Sequence, residues 1–264
     1  MNTYRLNLQS LSTVVRYLPR FIPCPVCNGK RFFIRLHPSP RVGWRCLFCR
    51  GTLFHLGTYR VIQDHYGPDL SGLKDASVYE LSAHGTLYTA LKGCATRIGF
   101  TFQCSEWFAG VPFGESMNGI RCENVHHLSF SNASFDLITS TAVFEHVEDD
   151  MAGFKEICRV LKPGGRYIFT VPCASDRSTI TRAVRLPDGT IKHFEPPHYH
   201  THPLQGRDGV FVWRDYGIDI GDRLRAAGFY AAEVVLERFP SLMPGQSVPV
   251  IVAQRTPLVK INIL

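Results

Sequence analysis

No stretch of the 264 residues approaches the roughly 18 uninterrupted apolar positions that a membrane-spanning helix needs. No membrane partner is therefore expected. The opening residues MNTYRLNLQS also lack the basic-then-apolar layout of a secretory leader, so the expected location is cytoplasmic. Charge is sparse, at 19% of residues against 45% hydrophobic, and there is no internal repeat or low-complexity tract, which argues against a disordered or solenoid chain. What remains is enough apolar material for one sizeable core and a small accessory module.

The sparse charge is unevenly placed. Residues 1–75 hold eleven Lys and Arg against three Asp, whereas the rest of the chain holds eighteen basic against nineteen acidic residues. The net charge of +7 therefore belongs to the N-terminal part, which points there either to an acidic partner such as RNA or to docking on acids of the larger domain.

Nine cysteines leave one thiol over if all pair, which suits a reducing compartment. Cys24, Cys27, Cys46 and Cys49 form two Cys-x2-Cys pairs separated by eighteen residues, the spacing of a tetrahedral zinc site. Two disulfides or four unrelated thiols are the alternatives. With all four positions filled by protein, such a zinc is structural. Cys94, Cys104, Cys122, Cys158 and Cys173 lie in apolar stretches and read as small core residues.

Residues 1–22 read as an N-terminal extension, 23–51 as a four-cysteine zinc ribbon, and 52–75 as a linking helix that ends at Gly67-Pro68. From residue 76 to 264 short β-branched runs (SVYELS, RIGFTFQC, GIRCENV, SFDLITS, RYIFTVP) alternate with helix-like segments such as VEDDMAGFKEICRVL. That alternation predicts an α/β domain built on a mostly parallel sheet with crossover connections. Lys162-Pro163-Gly164-Gly165 reads as a helix stop leading directly into a strand, and about 174–208, rich in Pro, His and Arg, as an active-site insertion.

The stretch LSFSNASFDLITSTAVFEHVEDDMAGFKEICRVLKPGGRYIFTVP, residues 128–172, resembles the class I, type 11-like S-adenosylmethionine (SAM)-dependent methyltransferases in its fourth strand, following helix and Lys-Pro-Gly-Gly turn. The resemblance extends from about Ala76 to the C-terminus and includes HYHTHPLQGRDGVFVWRDYGIDIGDRLRAAGF. It implies a Rossmann-like, doubly wound seven-stranded sheet with SAM over the carboxyl ends of its strands. Glu80 would end the first strand, and Ser82 and Gly85 would lie in the cofactor loop. The family's Glu/Asp-x-Gly-x-Gly is not kept, because Ser82 and His84 occupy the glycine positions. By the same resemblance Glu106 accepts from the ribose hydroxyls, Asn124 meets the adenine, and Val125 and Thr141 line the cofactor site. Glu106 and Asn124 also admit the plainer reading of solvated loop residues, and Glu80 that of an ordinary strand-end carboxylate.

Methyl transfer needs mainly alignment, and a base only if the nucleophile arrives protonated. His146, in the Glu-His-Val stretch, and His198 and His200, in PPHYHTHP, are the candidate bases; packing or surface roles are the alternatives. A second metal held by His193, His198, His200 and His202, with Glu195 nearby, is a further option. The expected acceptor is an oxygen or nitrogen of a small metabolite or saccharide. RNA gripped by the basic ribbon, with Trp44, Phe48 or Phe32 stacking on bases, is the alternative, as is a non-catalytic binding protein that keeps the fold.

Overall fold

The computed structural model describes residues 18–200 and 209–257. The chain begins with an antiparallel three-stranded sheet of β1 (Arg20–Cys24), β2 (Gly29–Arg35) and β3 (Trp44–Cys46) in that order. The two cysteine pairs sit at its turns. Helix Leu53–Tyr66 follows, and Gly67, at φ +87°, ends it as expected.

The remainder forms an eight-stranded sheet from β4 (Ser77–Glu80), β5 (Thr101–Glu106), β6 (Ser116–Met117), β7 (Ile120–Cys122), β8 (Phe135–Thr141), β9 (Leu161–Thr170), β16 (Ala231–Arg238) and β17 (Ser247–Gln254). Their spatial order is β16-β17-β9-β8-β4-β5-β7-β6. The ladders β7-β5-β4-β8-β9 are parallel, and β17 runs antiparallel to both neighbours. The eighth strand, beyond the seven expected, is the short hairpin partner β6.

Why the sheet has two covered faces is visible in its period of two. Val78, Leu137, Ile168 and Val250 enter one cluster, and their neighbours Tyr79, Ile138, Phe169 and Ile251 the other. Helices Leu53–Tyr66 and Gly85–Ile98 cover the first face; Asp150–Val160 and Ile220–Ala226 cover the second. Phe33 and Trp44 of the ribbon belong to the first cluster, so the ribbon shares the core of the larger domain. Arg41 fastens it with bonds to the carbonyls of Ser247 (3.1 Å) and Cys173 (3.3 Å), and Arg60 pairs with Glu237 at 3.4 Å.

Several expectations change. The helix Asp150–Val160 stops before Lys162, and the Lys-Pro-Gly-Gly segment lies inside β9, where a register shift between Phe135 and Leu137 absorbs it; Gly164 takes φ +80° there. Arg97 and Ile98 belong to the preceding helix, and the strand starts at Thr101. Cys122, Cys158 and Cys173 are buried as expected, but Cys94 and Cys104 are only partly so. The insertion is not aperiodic: β10 (Ile180–Thr181) pairs with β15 (Arg214–Asp215), β11 (Ala183–Arg185) with β12 (Ile191–His193), and β13 (Tyr199–His200) with β14 (Val210–Phe211). His202 lies outside the described residues.

Asp150, 1% exposed, ties the segment after the insertion to the second face by accepting from Tyr216 (3.0 Å) and Arg223 (2.7 Å) and pairing with Arg214 (3.2 Å). Removing one member of such a network leaves buried charge uncompensated. Asp150→Ala is expected to cost about 3–5 kcal/mol in urea unfolding, and an unchanged midpoint would contradict this role.

Candidate active site

The four ribbon sulfurs converge from strand ends and turns. Cys24 and Cys49 Sγ atoms are 3.8 Å apart, Cys27 and Cys46 3.9 Å, and all four lie within 4.8 Å of one another. Zinc at about 2.3 Å from each of four tetrahedral thiolates places sulfurs on the order of 3.8 Å apart, so the set fits the ion. The Cys49 thiol, donating to Cys24, pulls the latter down to about 5.

The strand order reverses between β4 and β8, because the chain proceeds from β4 to β5 and β7 on one side and from β8 to β9 on the other. Ligands of open α/β sheets bind in the crevice at the carboxyl ends around such a reversal. Glu80 ends β4, fully buried and bonded by the Thr139 hydroxyl. Burial pushes its carboxyl up to about 8. Glu106 ends β5, and its Oε1 accepts from Ser82 Oγ (3.0 Å), Ala83 N (2.9 Å) and His84 Nδ1 (2.8 Å). Burial pushes this carboxyl up, but those donors prevail and hold it below the usual range.

The loop 82–84 is thus pinned to the carboxylate assigned to ribose, and a ribose would compete with its donors. Gly85, which starts the next helix at φ +87°, rests with its Cα hydrogens toward His55: an added Cβ would lie 3.5 Å from His55 Nε2. Asn124 uses its Oδ1 to accept from His126 N at 2.9 Å, so the oxygen assigned to adenine is engaged in a turn. Val125 packs on the second core cluster. Thr141 ends β8, and its buried Oγ1, like that of Thr170 ending β9, has no hydrogen-bond partner among the described residues.

Because Glu80 is neutral when folded and ionised when unfolded over the same range, stability attributable to it is full below about pH 4.5 and falls as pH rises toward 8. Glu80→Gln should flatten that decline in melting temperature, and an unaltered pH profile would contradict the burial of a neutral acid.

Just beyond β8, one 3-10 turn, Phe144–His146, carries Glu145 and His146. The backbone bond from Trp213 N to Glu145 O (2.8 Å) anchors it. His146 Nδ1 lies 2.8 Å from Phe211 O, and its Nε2 is 3.2 Å from His200 Nδ1. Glu145 is fully buried, burial pushes its carboxyl up to about 8, and neither oxygen has a hydrogen-bond partner among the described residues. His198 stacks edge-on to His200 at 4.9 Å between ring centroids and lines a cleft of about 340 Å³ with Arg41, Arg177, Arg182 and Tyr216. That cleft opens beside Pro172–Ala174, at the carboxyl end of β9. A larger cleft of about 490 Å³, lined by Arg166 and Gln254, lies at the opposite end of the strands and away from these groups.

Sequence reasoning thus found three histidines that the fold places side by side, but missed Glu145 and the arginines. The Glu-His pair was the available signal. The second-metal set is corrected: His193 is exposed on β12 against the Phe211 ring, and it is His146 with Glu145 that approaches His200. Trp44 is also corrected, since it is buried in the core and cannot stack on a base; Phe32 and Phe48 are exposed.

Residues 104–169 match the family described as a methyltransferase domain. No curated protein matches the chain. Among solved structures, the chain is similar to a SAM-dependent methyltransferase of Mesorhizobium loti (16% identity over 69% of this chain and 92% of that one, TM-score 0.44). A Listeria monocytogenes protein described as a putative enzyme of that kind gives 12% identity over 76% and 98%, with TM-score 0.46. The Burkholderia thailandensis 1,6-didemethyltoxoflavin-N1-methyltransferase, solved with S-adenosylhomocysteine, gives 16% over 76% and 78%, with TM-score 0.40. The strand order is that of a doubly wound, Rossmann-like sheet, and residues 104–169 within it match the methyltransferase-domain family, which supports a SAM-dependent methyltransferase.

Proposed function

We propose that the chain methylates an oxygen or nitrogen of a small metabolite or saccharide, with residues 76–264 as the transferase domain and 23–51 as a zinc ribbon. The observation that carries this reading is the group of polar side chains at the β4/β8 reversal: Glu80, Glu106, Thr141 and Thr170 end four strands there. Glu106 and the loop Ser82–Gly85 would hold the ribose and methionine parts, and Asn124 and Val125 the adenine, so that the methyl group faces the cleft beside His198. Bound SAM supplies an activated sulfonium methyl, so the acceptor's lone pair forms the new bond to carbon while the carbon–sulfur electrons stay on sulfur. The insertion holds the acceptor and excludes water, and His198, on the cleft wall, takes a proton from an acceptor that arrives protonated.

Zinc on Cys24, Cys27, Cys46 and Cys49 would hold the ribbon together; with four protein ligands it has no open position for chemistry. A reducing compartment, the cytoplasm, suits these thiols. A small acceptor is favoured over RNA because Arg41 is committed to docking and Trp44 to the core, which takes both from a nucleic-acid surface. Among the described residues no helix is long and apolar enough to cross a membrane.

The test is mass spectrometry of products after incubating the protein with SAM and a cell extract, with and without RNase. The reading expects a methylated small molecule that survives RNase. A product confined to RNA and lost on RNase treatment would overturn it in favour of RNA.

A further inference from the structure

We propose that Glu145, His146 and His200 form a binding site for a divalent transition-metal ion, separate from the ribbon cysteines and adjoining the acceptor cleft. Glu145 Oε1 lies 3.8 Å from His146 Nε2 and 3.7 Å from His200 Nδ1, and the two nitrogens are 3.2 Å apart. The circle through these three atoms has a radius of about 2.1 Å, which is the bond length zinc makes to imidazole nitrogen and carboxylate oxygen. An ion at its centre reaches all three ligands without moving any of them.

The surroundings prepare the ligands. A carbonyl only accepts, so the 2.8 Å contact with Phe211 O places a proton of His146 on Nδ1, and Nε2 is the ring nitrogen that faces His200 and Glu145. Phe211 belongs to β14, whose pairing with β13 (Tyr199↔Phe211, His200↔Val210) also positions His200. One small ladder therefore orients both histidines. A hydrogen bond between the two rings would account for their nitrogens but not for Glu145, which is fully buried with both oxygens lacking a hydrogen-bond partner among the described residues. Burying a carboxyl group without a hydrogen bond is costly, and a cation at this point would satisfy it in its ionised form.

Two imidazoles and one carboxylate select zinc, manganese or iron over calcium and magnesium, which prefer all-oxygen sets. Three protein ligands leave a position open. The His200 ring also lies 4.9 Å from that of His198, which lines the cleft, so the site adjoins the proposed acceptor position. Resting on the methyl-transfer reading, this makes the acceptor a hydroxyl compound, whose proton is more readily lost when its oxygen is bound to a cation.

The full-length protein is treated with a chelator until one zinc per chain remains on the cysteines, then titrated calorimetrically with Zn2+, and separately with Mn2+. The wild type should take up one further equivalent. Glu145→Gln and, independently, His200→Ala on its surface ladder should weaken that uptake at least 100-fold, while keeping the cysteine-bound zinc and the wild-type affinity for S-adenosylhomocysteine. Cys46→Ser should show the reverse pattern, keeping the second equivalent. No further uptake by the wild type, or wild-type uptake by both variants, would overturn the site. Failure to bind S-adenosylhomocysteine would instead count against the methyl-transfer reading and leave the metal count standing.

Discussion

Replacing Cys46 by serine is expected to empty the ribbon of zinc and to lower the melting temperature of the whole chain by about 10 °C, because structural zinc in small modules contributes folding energy outright. The effect should exceed the ribbon itself. Cys46 ends β3, and the neighbouring Trp44 and Phe33 are packed in the same cluster as Leu56 of the linking helix and Val78 and Val250 of the larger domain. Loss of the metal therefore loosens one face of the main sheet. It should also weaken cofactor binding, since Thr86, in the helix that leaves the cofactor loop, donates its hydroxyl to the Cys49 carbonyl at 2.8 Å. Metal analysis by mass spectrometry and thermal unfolding in parallel check this. Undiminished zinc on the thiols with an unchanged melting temperature would contradict it.

Glu106→Ala should weaken S-adenosylhomocysteine binding by about 10- to 100-fold, the worth of one hydrogen bond to a charged acceptor at roughly 1.5–3 kcal/mol. Two losses combine. The ribose loses its acceptor, and the loop 82–84 loses the Oε1 atom on which Ser82, Ala83 and His84 converge. Glu106→Gln separates them: it keeps the shape and one acceptor but removes the charge that His84 pairs with at 2.8 Å, so its affinity should fall between wild type and alanine. Calorimetric titration reads all three proteins. Equal affinities would remove Glu106 from the cofactor site.

The strand-and-helix alternation after residue 76 was legible because hydrophobic period alone distinguishes β8 from helix Asp150–Val160, and the ribbon because paired cysteines have few other uses. The edge strand β6, two exposed residues long, carries no periodic signal. The Lys-Pro-Gly-Gly segment lies inside β9 instead of ahead of it, since proline marks where a helix cannot continue, not where the next strand begins. The residues proposed for the cofactor come from family likeness alone, and the Glu106–His84 pair depends on a loop conformation that spacing does not encode. Glu145 and His200 are 55 positions apart and meet only because the insertion folds back on the turn after β8. The uneven charge was legible too, though its use was not: Arg41 serves backbone carbonyls of the larger domain, whereas Arg45 is exposed.

The central claim is that the crevice around Glu80 and Glu106 binds SAM despite Ser82 and His84 standing where glycines are usual. Thermal unfolding of the full chain with and without S-adenosylhomocysteine tests it most directly. Ligand at 100 times its dissociation constant stabilises the folded state by about 2.7 kcal/mol, which for a chain of this size raises the melting temperature by roughly 5–10 °C. The account predicts that rise, accompanied by measurable heat on titration. No shift and no heat at millimolar ligand would contradict it and leave the fold as a binding scaffold.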